Sequence, residues 1–231
     1  MASAALQAVI DGRATYTWAD IGSEHSGKIA AFRMLVDALM VDGVREVFSP
    51  REAQLAATHL SALLPTPRLL DLRYTQATAI APPQPMNYRN EAERGTRAAI
   101  DAHSRRVGAA VGQQAGLVQN VGKHWVLDNQ TTPARAVLYG WHVPTHRNSL
   151  WKGIPVAPST STPDLWVIQQ ATPAHRYDYA DYAMTLMLVH EDCTVDGAPA
   201  KVADVLIDPT LCGLATSPAR PLRSVMLPVG P

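Results

Sequence analysis

Ile29-Ala30-Ala31-Phe32-Arg33-Met34-Leu35-Val36-Asp37-Ala38-Leu39-Met40 decides how the first half of the chain is read. Ile29, Phe32, Leu35, Val36 and Leu39 recur at the spacing of an amphipathic helix, so the stretch is expected to be the first long helix. Just upstream, Gly22-Ser23-Glu24-His25-Ser26-Gly27-Lys28 has the G-x-x-x-x-G-K spacing of a phosphate loop. Ile29 then stands where the magnesium-holding hydroxyl belongs, and no clear apolar strand leads in. The expectation is a glycine loop opening that helix, not a nucleotide site.

Further helices follow in the same half. Ser49-Pro50-Arg51-Glu52 is a helix start, with Ser49 as cap, Pro50 in the first turn and Glu52 able to close a capping box. That helix is expected to run to about Leu63. Thr66-Pro67 repeats the signal, residues 81–85 read as an extended proline spacer, and residues 90–111 as another long helix. Beyond about residue 112 the character changes. Residues 116–120, 124–127, 136–141, 166–169 and 183–190 read as strands, the last as the central one, and four of the five tryptophans lie there. The fold class expected is therefore α+β: a mostly helical region 1–112 packed on a mainly antiparallel sheet formed by the strand-rich region 113–231, in one compact domain.

Composition narrows the function classes. In 231 residues, 20 Lys plus Arg balance 20 Asp plus Glu, so no global basic field exists for nucleic acid or an anionic membrane. The N-terminus has no basic-then-apolar leader pattern, and no apolar run approaches membrane-spanning length. A soluble chain made in the cytoplasm without a signal peptide is expected, with export or incorporation into a virion left open. Cys193 and Cys212 could close one disulfide or stay as two buried thiols.

Chemistry concentrates around histidine. Of eight histidines, His124, His142, His146, His175 and His190 lie in the second half, several beside Trp, Tyr or Asp. Imidazole is the neutral-pH proton carrier, and aromatic faces suit a polar, ring-bearing ligand. His142 and His146 are separated by Pro144 and share no regular helical face, so a metal site would need separate strands, for example His142, His175 and Asp181. No cofactor is expected.

Gly122-Lys123-His124-Trp125, then Tyr139-Gly140-Trp141-His142, then Ala174-His175 with Asp181-Tyr182, resemble a bacterial and phage-encoded family without an assigned activity. Its members read G-K-H-W or G-H-K-K-D, then Y-G-W-H, then H-x-x-x-x-x-D-Y-S. The resemblance spans about residues 35–211 and implies one shared domain, not a reaction. The chain departs from the pattern at Tyr179, where some members carry histidine, and at Ala183, where serine is usual.

Two readings follow. One is a hydrolase of a polar polymer such as a cell-wall glycan or peptide. His142 and His175 would be general acid/base groups, Asp181 would orient one of them, and Lys123 and His124 would stabilise developing negative charge. Tyr139, Trp141, Tyr182 and Asp178 would bind substrate. The other is a non-catalytic structural or binding subunit of a phage particle or secretion assembly, contacting a protein partner.

Overall fold

A computed structural model describes residues 3–144, 150–159, 161–162 and 164–228. The expected first helix is instead half of a β-hairpin. Strands β1 (Trp18–His25) and β2 (Lys28–Leu35) pair antiparallel from Trp18↔Leu35 to His25↔Lys28. Ser26 and Gly27 close the hairpin with φ of 51° and 75°, the two successive positive values of a two-residue turn. The phosphate-loop spacing is thus a hairpin tip. Ala30, Phe32 and Met34 are buried, while Ile29 is 62% exposed, so the working period is two rather than 3.6.

The hairpin joins strands from the other end of the chain. With β3 (Ala62–Leu63), β8 (Val189–Val195) and β9 (Ala198–Lys201), it makes one sheet in the order β9-β8-β2-β1, and β3 also pairs with β8. A second antiparallel sheet runs β6-β7-β5-β4. Its strands are β4 (Lys123–Val126), β5 (Ala136–Pro144), β6 (Ala157–Pro158) and β7 (Leu165–His175). The expected central strand starts late: its ladder with β2 and β3 begins only at Val189. Residues 183–188 are buried and pass between the sheets. Their carbonyls accept from Leu35, Leu39, Phe48 and Lys123 N–H groups at 2.7–3.2 Å.

Helices are α1 (Ala4–Ile10), α2 (Pro50–His59), α3 (Pro67–Thr75), α4 (Glu91–Arg94), α5 (Arg97–Val111) and α6 (Val202–Ile207). The capping box on Ser49 and Glu52 opens α2, and Thr66 caps α3. The long helix expected over 90–111 is broken at Gly95, and Thr96 caps its longer part.

The expected architecture, a helical first half laid on a sheet from the second half, is therefore corrected. The first half supplies the inner and outer strands of one sheet. Helices flank both faces of the second sheet, because α3 packs against β5 from one side and α5 reaches Trp141 of β5 from the other. β2 lies between β1 and β8, and β8 is more than 150 residues away, a pairing that helical spacing cannot reveal.

The outer edge of β1 is closed by a side chain. Gly22 donates its N–H to Gln76 Oε1 at 2.8 Å, and Gln76 Nε2 donates back to the Gly22 carbonyl at 2.8 Å. Cys193 and Cys212 are both buried free thiols. Among the described residues, no helix is long and apolar enough to cross a membrane.

Candidate functional site

The second sheet divides the residues singled out from sequence into two groups. Lys123 and His124 are consecutive on β4 and so project to opposite faces. His124 pairs across the ladder with Tyr139, and Lys123 with Gly140.

On the α3 face the focus is Asp71, a fully buried carboxylate that the sequence reading missed. Tyr139 donates its hydroxyl to Oδ1 at 2.6 Å, and His142 donates Nε2–H to the same oxygen at 2.7 Å. The hydroxyls of Ser159 and Ser161 donate to Oδ2. In a regular strand, residues 139 and 142 would face opposite ways. Gly140 at φ 139° and Trp141 at φ 57° break the alternation and turn both side chains to one carboxylate. Burial pushes the Asp71 carboxyl up, but the hydrogen bonds from His142, Ser159 and Ser161 outweigh it and hold the group below its ordinary value.

The far side of the His142 ring is also engaged. Buried Arg73 donates to Gln119 Oε1 and to the carbonyls of Leu35 and Val36. That fixes the Gln119 amide so that Nε2 faces His142 Nδ1 at 3.4 Å. Nδ1 is then an acceptor, and the imidazole is held as the Nε2–H tautomer. Tyr74 stacks on the ring with centroids 5.1 Å apart. His124, fully buried nearby, donates Nδ1–H to the Thr185 carbonyl at 2.9 Å, and burial pushes its pKa down to about 3.

On the α5 face the focus is Asp181. Its Oδ1 accepts the Ala183 N–H at 2.9 Å, and Lys123 Nζ lies 3.4 Å from Oδ2. The Lys123 ammonium sits 5.3 Å above the Trp141 ring. His103 of α5, a second residue missed from sequence, stands 6.3 Å from Trp141 and 5.2 Å from Tyr182, centroid to centroid. Burial lowers its pKa to about 4. Tyr182 accepts the Met86 N–H at 2.8 Å, which ties the proline-rich segment to this cluster.

Half-buried His175 stacks flat on Tyr179, 4.6 Å apart at 6°, and meets the edge of Trp125. Burial, and then the charge of Lys123, lower its pKa. Asp178 is exposed, paired with Arg176 at 3.1 Å, and lines a broad cleft of 740 Å³ with Ser49, Glu52 and Tyr177. His146 lies outside the described residues.

The structure thus gathers His142, Tyr139 and His124 on one face, and Lys123, Asp181, Trp141, Tyr182 and His175 on the other. Asp178 stands apart from both. Among the described residues, no group of three or more His, Cys, Asp or Glu is placed to hold a metal ion.

Asp71 gave no motif signal, because it is a lone acid among the leucines of α3. His103 did leave one: with Ile100, Val107 and Val111 it occupies the buried stripe of α5, where a polar residue stands out.

No family model, no curated protein and no solved structure matches the chain.

Proposed function

We propose that this chain is a non-catalytic binding protein, and that its polar ligand is received on the Lys123–Asp181 face of the second sheet. The observation that carries this reading is the full engagement of His142. A general acid/base must present a ring nitrogen to substrate. His142 is 1% exposed, with Nε2 on Asp71 and Nδ1 on Gln119. His124 is equally buried and holds a backbone carbonyl. Both rings act as braces for the sheet.

On the opposite face, Lys123, His175 and Tyr179 are partly exposed, while Asp181, Trp141 and Tyr182 are buried. A rim of one cation and two rings beside a buried ion pair suits recognition of a polar molecule. A hydrolase reading would rest on His175 and Asp181 alone, since they are the acid/base candidates of this face.

The two roles separate by substitution. His142→Ala removes a donor from a buried carboxylate and is expected to cost about 1.5–3 kcal/mol of stability. His175→Ala is expected to fold with nearly unchanged stability, because that ring lies at the rim. Denaturant unfolding of both variants checks this. A His142→Ala protein that keeps full stability, yet loses turnover of a glycan or peptide polymer that the parent cleaves, would overturn the reading.

A further inference from the structure

The C-terminal segment 216–228 crosses the surface without helix or strand. Asn129 fastens it to the loop after β4. Its Oδ1 accepts the Arg223 N–H at 2.9 Å, and its Nδ2 donates to the Pro221 carbonyl at 3.0 Å. Leu222 donates its N–H to the Leu206 carbonyl, and Leu227 donates its own to Gln54 Oε1, each at 2.8 Å. Between this segment and the loop 127–133 lies a cavity of about 360 Å³. That volume is at the small end of the range for ligand sites and suits one small molecule.

Leu127, Pro133, Met226 and Leu227 give the cavity an apolar wall. Among the described residues, its lining carries two charged residues of opposite sign, Asp128 and Arg223. Asp128 Oδ1 accepts the Gln130 N–H at 2.8 Å, which fixes the carboxylate within the loop. Asn129 holds Arg223 by its backbone, so the guanidinium is not used in the fastening. Among the described residues neither charge enters an ion pair, with the other or with a third group.

We infer that this cavity binds a small zwitterion with an apolar body, namely an α-amino acid with a large apolar side chain. Its carboxylate pairs with Arg223 and its ammonium with Asp128. Its side chain lies among Leu127, Pro133, Met226 and Leu227.

The ligand class follows from charge complementarity. A simple anion suits Arg223 but brings like charge to a wall that holds Asp128, and a simple cation does the reverse. A neutral apolar molecule takes water from both charges and pairs neither, which is costly. An α-amino acid carries both signs on one carbon, so they reach the wall together while the rest of the molecule is apolar. A longer peptide separates its two terminal charges along the chain. The guanidinium fork also matches a carboxylate, which it can hold through two parallel hydrogen bonds. Lys123, Asp181, Trp141, Tyr182 and His175 do not line this cavity. The inference therefore stands apart from the binding role proposed above.

The test is calorimetric titration of the full chain with L-leucine. Three comparison ligands each remove one feature: N-acetyl-L-leucine the ammonium, L-leucinamide the carboxylate, and L-alanine the apolar body. Saturable binding of leucine is expected, with each comparison ligand at least about tenfold weaker. Two substitutions assign the charges. Arg223→Gln alters an exposed side chain and keeps the backbone N–H that Asn129 holds. It is expected to weaken leucine about tenfold, to bring leucine and leucinamide to near parity, and to leave the unfolding midpoint unchanged. Asp128→Asn keeps an acceptor for the Gln130 N–H and is expected to bring leucine and N-acetyl-leucine to near parity. Should Asp128→Asn fail to fold, Arg223→Gln decides alone.

Absence of saturation up to about 10 mM leucine would overturn the inference. Equal or tighter binding of N-acetyl-leucine, leucinamide or alanine by the parent protein would do so as well. So would leucine binding that Arg223→Gln leaves unchanged.

Discussion

The side-chain amide of Asn120 pairs with the backbone of His142 as a neighbouring strand would. Asn120 Oδ1 accepts the His142 N–H and Asn120 Nδ2 donates to the His142 carbonyl, each at 2.8 Å. Ladder pairing of β5 with β4 runs from Val137 to Gly140 and goes no further toward His142. The amide takes over beyond it, satisfying two buried backbone groups at the point where the backbone turns His142 toward Asp71. Asn120 itself sits at φ 64°, a left-handed conformation that asparagine tolerates better than most residues.

Asn120→Ala is therefore expected to destabilise the protein by about 2–4 kcal/mol, since it strands two buried backbone groups. The midpoint of thermal unfolding should fall by roughly 5–15 °C. A loss below 1 kcal/mol would mean that the His142 backbone finds other partners.

Acid sensitivity should begin well above the carboxylate range. Burial lowers His103 to about 4 and His124 to about 3, while both would titrate near 6.5 in the unfolded chain. The unfolded state then binds more protons between these values. Stability is full above about pH 6.5 and declines as pH falls toward 4, at up to about 1.4 kcal/mol per pH unit for each histidine. Asp71, held below its ordinary value, adds its own loss only below about pH 4. His124→Asn keeps a donor for the Thr185 carbonyl and should make the decline between pH 6.5 and 4.5 shallower. Urea midpoints across that window decide it, and an unchanged slope would show that His124 does not contribute.

Close backbone packing predicts opposite signs for two glycine substitutions. A Cβ on Gly122 would lie 2.5 Å from the Ala183 carbonyl oxygen, where the segment between the sheets crosses β4. Gly122→Ala should cost about 1–3 kcal/mol or more through overpacking. Gly108, inside α5, would place its Cβ no closer than 3.7 Å to Arg45 Nη1. Gly108→Ala should stabilise by about 0.5–1 kcal/mol through helix propensity. Denaturant midpoints of the two proteins check the contrast.

What was legible in the sequence was local. Ser49 with Glu52, and Thr66 with Pro67, mark helix starts because the groups that satisfy each helix end lie within one turn. The segment 29–40 misled because its apolar residues fit two periods at once. Its partners, β8 and the crossing residues 183–188, lie far along the chain. The histidine-rich motifs did mark the second sheet, and Lys123 with Asp181, or Tyr139 with His142, do meet. Their division between two faces follows from strand alternation and from the turn at Gly140 and Trp141, which residue spacing does not report. Asp71 and His103 were missed because each is a single polar residue whose meaning depends on a strand facing its helix.

The clamp of Gln76 on Gly22 bears on how the molecule behaves among its own copies. An eight-residue outer strand with free N–H and C=O groups is a template for a strand of another chain, and such edges seed aggregation. Here one glutamine occupies both hydrogen-bonding groups of the residue near the middle of β1. Arg68 covers the Glu24 carbonyl two residues on. Colloidal stability of a chain with zero formal net charge, which mutual repulsion does little to protect, thus leans on two side chains that stop the sheet from growing.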